Sequence, residues 1–223
     1  MIFWFRAKDG ALSLVLIVVW ALSLTALAIL LFSEGVSFAE SSRSSSKTTI
    51  DTPADTIYIT SVNRVSDLIT DRTLPFNTEG YSVLINDEKR ELYISPELEI
   101  DPSDEEPYGI TVRKESFGSS EITAFNKTKD LNYYYRISGD TLFFDDFFTI
   151  HSGRRWSGDN IKIRISLPAG TTLKIDSCME ELLDDNYHSE DDDNHYPMVK
   201  SEGYSYWQIT DEGLIPAGKS AGL

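Results

Sequence analysis

Hydrophobic and polar positions divide this chain into two unlike parts. From Ala11 to Phe32 the stretch ALSLVLIVVWALSLTALAILLF has no charge, no Gly and no Pro, with hydroxyls only at Ser13, Ser23 and Thr25. A helix packed on a soluble core shows a polar face every third or fourth residue, and this stretch shows none. At about 1.5 Å rise per residue its 22 positions span roughly 33 Å, which matches a hydrocarbon core of ~30 Å. The pattern predicts a transmembrane helix. A cleavable signal peptide is the competing reading, because Ser37-Phe38-Ala39 before Glu40 places small residues where a signal peptidase cuts. The apolar run is longer than the about 7–15 residues of such a signal.

Beyond this stretch the period changes to two. In Ile161–Leu167 (IKIRISL) four aliphatic side chains face one way, and Lys162, Arg164 and Ser166 the other. Thr56–Thr60, Ser82–Ile85, Glu91–Ser95, Ile110–Lys114, Glu121–Phe125, Asn132–Ile137, Thr141–Phe144 and Thr171–Ile175 also read as short strands. Turn signals separate them: DPSDEEPYG, Gly139-Asp140 and Pro168-Ala169-Gly170. Val62–Leu74 carries the one helical hint, and SSRSSSK (Ser41–Lys47) reads as a flexible tether. The expected organisation is a short cytoplasmic head (1–10), the membrane helix (11–32), a flexible linker (33–50), an all-β domain (51–217) and a tail (218–223). Two arrangements suit the strands, a β-sandwich and a short-strand β-helix or ladder of stacked rungs.

Charge narrows the partners. The net charge is −16, from 20 basic and 36 acidic residues. Residues 1–40 carry only Arg6, Lys8, Asp9, Glu34 and Glu40, so almost all of the excess lies in the outer part. That sign is wrong for gripping phosphate backbones, which excludes nucleic acid. Arg6 and Lys8 precede the apolar span while Glu34 and Glu40 follow it, so the positive-inside rule puts Met1 in the cytoplasm and the β domain outside. The single cysteine, Cys178, permits no internal disulfide and reads as a small buried hydrophobe near a strand end.

Motifs for chemistry are scarce. Gly213–Ser220 matches the phosphate-loop pattern G-x-x-x-x-G-K-[ST], but only three residues follow Ser220, too few for the helix that such a loop needs. The acidic run Asp184–His195 has oxygen ligands in plenty but no EF-hand glycine or spacing, and His188 and His195 are not spaced as a helical zinc pair. It reads as a solvated loop. No nucleophile elbow or paired zinc histidines occur, His151 is isolated, and Asn126-Lys127-Thr128 is a glycosylation sequon. No catalytic residue, metal site or cofactor is expected. In Leu142–Phe148 (LFFDDFF), alternation predicts that some phenylalanines bury and others do not. Phe147, Phe148, Arg154, Arg155 and Trp156 are the candidate partner contacts, since aromatic and Arg side chains dominate binding hot spots. A core role for Trp156 is the structural alternative.

Several of these residues occur in a familiar order. Phe143-Phe144-Asp145-Asp146-Phe147-Phe148 precedes Ser152-Gly153-Arg154-Arg155-Trp156, then the strand Ile161–Leu167 and Leu167-Pro168-Ala169-Gly170-Thr171. Tyr206-Trp207-Gln208-Ile209-Thr210-Asp211-Glu212-Gly213-Leu214 comes last. The chain thereby resembles the tail of bacterial phage-shock-protein-C-type regulators, whose membrane helices precede an all-β domain built like a toast rack. The resemblance implies a non-enzymatic regulator in the bacterial cytoplasmic membrane that senses or relays envelope stress. Its implied partners are membrane proteins of that system, besides the bilayer around Ala11–Phe32, and an oligomer is compatible with this. The alternative function is an envelope adhesin or ligand-binding β module.

Overall fold

The computed structural model describes residues 10–36, 38–50, 53–68, 73–78, 81–86, 91–103, 107–150, 154, 156–183, 200–201 and 204–217. The apolar stretch forms α1 (Gly10–Val36), long and apolar enough over Ser13–Ser33 to cross a membrane. None of that span is buried by the rest of the chain. Two of its hydroxyls turn back on their own backbone: Ser23 Oγ donates to the Val19 carbonyl and Thr25 Oγ1 to that of Ala21, both at 2.9 Å. Such satisfaction within the helix is what hydrocarbon surroundings demand.

The remainder is built of short strands. In chain order they are β1 (Glu40–Thr49), β2 (Thr56–Ser61), β3 (Thr73–Thr78), β4 (Tyr81–Asn86), β5 (Glu91–Ile94), β6 (Glu97–Pro102), β7 (Gly109–Gly118), β8 (Tyr135–Ser138), β9 (Thr141–Phe144), β10 (Phe148–Ile150), β11 (Asn160–Leu167), β12 (Thr172–Asp176), β13 (Lys200–Ser201), β14 (Tyr204–Thr210) and β15 (Gly213–Pro216). Helix α2 (Glu121–Asp130) follows β7, and the single turn α3 (Ser177–Glu180) follows β12. Among the described residues three open sheets result, ordered β1-β7-β11-β6, β10-β5-β4-β3 and β13-β14-β12-β2-β9-β8, with β15 against β14.

Parallel pairs between strands distant in sequence give the fold its ladder character: β6 with β11, β2 with β12, and β2 with β9. The toast-rack-like alternative is the one observed. Alternation explains the β6–β11 pair. Ile163 and Ile165 face the core beside Leu98 and Ile100, all at most 1% exposed. On the outer face Arg164 Nε lies 2.7 Å from Glu99 and 3.1 Å from Asp101. Burial pushes Glu99 up, but Arg164 and Lys162 outweigh it and hold the carboxyl below its ordinary range. One core cluster draws on all three sheets, including Ile59, Ile94, Ile163 and Trp207. The Trp207 indole N–H is satisfied by Ser205 Oγ at 3.0 Å.

Three expectations need correction. The expected linker is a strand: β1 pairs with β7 in antiparallel register from Glu40↔Gly118 to Thr49↔Gly109. Backbone hydrogen bonds make this ladder whatever the side chains, and Arg43 adds an ion pair to Glu115 at 3.0 Å. Glu121–Phe125 is the start of α2 and not a strand. Ser120 caps it, accepting from the Thr123 N–H at 3.3 Å, and Ala124 and Thr128 form its buried stripe. In Val62–Leu74 the described residues hold a 3₁₀ turn, Val65–Leu68, and Thr73 already belongs to β3, while residues 69–72 lie outside the described residues.

Two glycines make these contacts. A Cβ on Gly109 would run into the Thr48 carbonyl of β1, and one on Gly118 would sit 2.6 Å from the Ala124 amide nitrogen. Gly109→Val should therefore lift β1 off β7 and destabilise the domain by about 1–3 kcal/mol, as overpacking of a close contact does. Denaturant melts of the detergent-solubilised chain measure this, and an unchanged midpoint would mean that β1 is not docked.

Candidate functional site

The five candidate contacts do not form one exposed patch. The loop from β9 to β10 turns at Asp145-Asp146-Phe147, and alternation sends Phe144 and Phe148 into the core at 0% and 2% exposure. Phe148 is thus withdrawn from any surface. Phe147 is half-buried, edge-on against Tyr93 with ring centroids 5.4 Å apart. Arg155 lies outside the described residues, as do His151 and the acidic run Asp184–His195. Arg154 is committed to structure: its guanidinium pairs with Asp159, which is fully buried and also accepts from Ser116 Oγ and the Ser157 N–H. Lys127 of α2 completes the knot, donating to Ser157 Oγ at 2.8 Å and to the Phe117 carbonyl at 2.9 Å. Trp156, 38% exposed between these anchors, is the candidate that faces outward rather than the core.

A second polar cluster joins residues from three rungs at the carboxyl ends of β2, β9 and β12. Arg64 Nη2 reaches Asp176 Oδ2 at 2.7 Å, and Thr60 Oγ1 donates to the same oxygen at 3.2 Å. Asp146 accepts from the Val65 N–H at 2.8 Å, and Asn63 Nδ2 donates to Asp145 at 2.7 Å. Burial pushes Asp146 up to about 6, against the Val65 bond and the Arg64 charge, and burial also raises Asp145. Sequence reading missed this cluster because Arg64, Asp146 and Asp176 belong to separate rungs. The Asp-Asp pair inside an aromatic run was the available signal.

Cys178, in α3, is half-buried and free, and burial raises its thiol pKa. It sits just past a strand end as expected, although it is not fully enclosed. Gly213–Pro216, the start of the phosphate-loop match, is strand β15 paired with β14. Among the described residues no group of three or more His, Cys, Asp or Glu could hold a metal ion. A cleft lined by Glu99, Thr111, Arg113, Lys162 and Arg164 encloses about 60 Å³, well short of the roughly 300 Å³ where small-molecule sites begin.

The fold defines the class, an open-sheet β ladder of the toast-rack type behind an apolar helix. Residues 85–216 match the family described as a toast rack found in some PspC proteins. That is more than half of the chain, and the chain belongs to this family. It is not a known enzyme family. Comparison with curated proteins and with solved structures gives no match.

Two predictions follow from the polar clusters. Arg154→Met strands the buried Asp159 charge and should cost about 3 kcal/mol or more, whereas Trp156→Ala should leave the melt nearly unchanged. Equal losses in denaturant melts would mean that Trp156 is core. For Asp146 the raised pKa sets the sign. Between about pH 4 and about pH 6 the folded state keeps a proton that the unfolded chain has released, so this carboxyl's contribution to stability falls as pH rises. Asp146→Asn keeps an acceptor for Val65 and removes the charge. Across that interval its melting temperature should fall less than that of the wild-type chain, and identical slopes would contradict the assignment.

Proposed function

We propose that this chain is a non-enzymatic, membrane-anchored regulator that senses or relays the state of the bacterial cell envelope through membrane-protein partners. The observation that carries the reading is the toast-rack domain of the PspC family behind one apolar helix. In this reading α1 spans the cytoplasmic membrane and the β domain lies outside, as the positions of Arg6 and Lys8 before the span favour. The polar clusters support a structural module: their carboxylates are engaged with Arg64, Arg154 and backbone amides.

The test has two arms. Protease added to sealed spheroplasts should digest the β domain and spare an N-terminal tag. Protection of the domain would reverse the orientation. Under the same envelope stress, cells expressing the chain without residues 51–217 should show an altered stress-gene response. An unaltered response would overturn the regulatory role.

A further inference from the structure

Three residues separate the last helical residue, Val36, from the first residue of β1, Glu40. At ~3.5 Å per residue the four steps between them reach at most about 14 Å. The turn is shorter still, since the Phe38 N–H bonds to the Gly35 carbonyl and the Ala39 N–H to that of Val36, both at 3.2 Å. If α1 crosses a bilayer, Ser33–Val36 already rise through the headgroup layer, some ~5–7 Å deep on each side. The end of the domain where β1 begins is therefore held against the membrane surface.

That end is where exposed apolar side chains gather. Glu40 pairs with Gly118, and α2 begins just beyond Gly118, against Ala124 of which that glycine packs. The buried stripe of α2 turns its other face outward, leaving Ile122 74% and Phe125 40% exposed. Phe38, 47% exposed, contacts Phe117 with ring centroids 6.4 Å apart. Trp156 joins the same end because its neighbour Ser157 is bound by Lys127 of α2. Lys129 lies 4.3 Å over the Phe125 ring, and Lys127, Lys129 and Arg154 nearly balance Glu40, Glu121, Asp130 and Asp159. This end is thus spared most of the negative charge that would repel anionic lipid.

We propose that α2, with Phe38 and Trp156, forms a membrane-docking face that seats the β domain end-on on the bilayer surface, Ile122 and Phe125 entering the headgroup–acyl boundary. The occupant is lipid, because the tether leaves this face within reach of it. Aromatic side chains and lysines with apolar stems suit that boundary. The proposal rests on α1 being a membrane span.

The test uses the full chain with Cys178→Ser and one new cysteine carrying an environment-sensitive fluorophore. The protein is reconstituted in vesicles of phosphatidylcholine and phosphatidylglycerol, with or without spin-labelled lipid. Leu24→Cys reports on the span, Ile122→Cys and Phe125→Cys on the docking face, and Lys47→Cys on the far part of β1. The expected result is loss of emission at positions 24, 122 and 125, with emission at 47 retained. Quenching at 24 without quenching at 122 or 125 overturns the docking face and leaves the span intact. Quenching at 47 as well overturns the end-on seating. Emission retained at 24 removes the span, and the proposal with it.

Discussion

The pairing of β1 with β7 is the constraint on which the arrangement depends. It takes the chain from an apolar helix and, after three residues, locks it into a ten-residue antiparallel ladder. No apolar side chain contributes to β1, so the ladder rests on backbone hydrogen bonds, each worth a net ~0.5–1.5 kcal/mol. The bonds accumulate because β7 is itself fixed on its other edge by β11, which is held in turn by β6. Removing β1 would expose one edge of β7 and take away a wall against which α2 packs. The polar character of β1 has a second effect. As the outermost strand of its sheet it presents Ser, Lys and Arg, which discourage pairing with other chains.

Around that ladder the polar side chains act as fasteners between segments that alternation alone would leave independent. The buried Asp159 ties the loop before β11 to Ser116 of β7, and Lys127 ties the same loop to α2. At the other cluster, Arg64 and Asp176 join the segment after β2 to the end of β12. Each carboxylate is costly to bury and each is met by a cation or by backbone N–H groups, so the clusters favour one alignment of rungs over shifted ones. The same engagement makes them poor candidates for chemistry on a substrate.

Much of this was legible in the residues, and the failures have physical causes. Strict alternation in IKIRISL located β11 and its buried face. The uninterrupted apolar run located α1. The order of aromatic, basic and Pro-Gly segments pointed to the toast-rack family. The strand in SSRSSSK was invisible because its stability lies in a partner seventy residues away and not in its own side chains. Helix α2 was hidden because EITAF alternates over five residues, while its capping serine and its buried Ala124–Thr128 stripe emerge only over ten. The strand β6, whose Glu99 and Asp101 face Arg164, was passed over because parallel partners leave no hairpin signal between them. Phe148 was misplaced as a contact although it keeps the phase of Leu142 and Phe144, because the Asp145-Asp146 pair suggested a break in the alternation that instead runs on through the turn.

Amide hydrogen exchange of the full chain in lipid nanodiscs tests the central claim most directly, by comparing Ser41–Thr49 with Ile161–Leu167. If β1 is an integral edge strand, every second amide in Ser41–Thr49, those facing β7, exchanges far more slowly than an unstructured chain, and Gly109→Val abolishes that protection. Exchange of all the Ser41–Thr49 amides at unstructured rates, beside a protected Ile161–Leu167, would show that the segment is a free tether and would contradict the account.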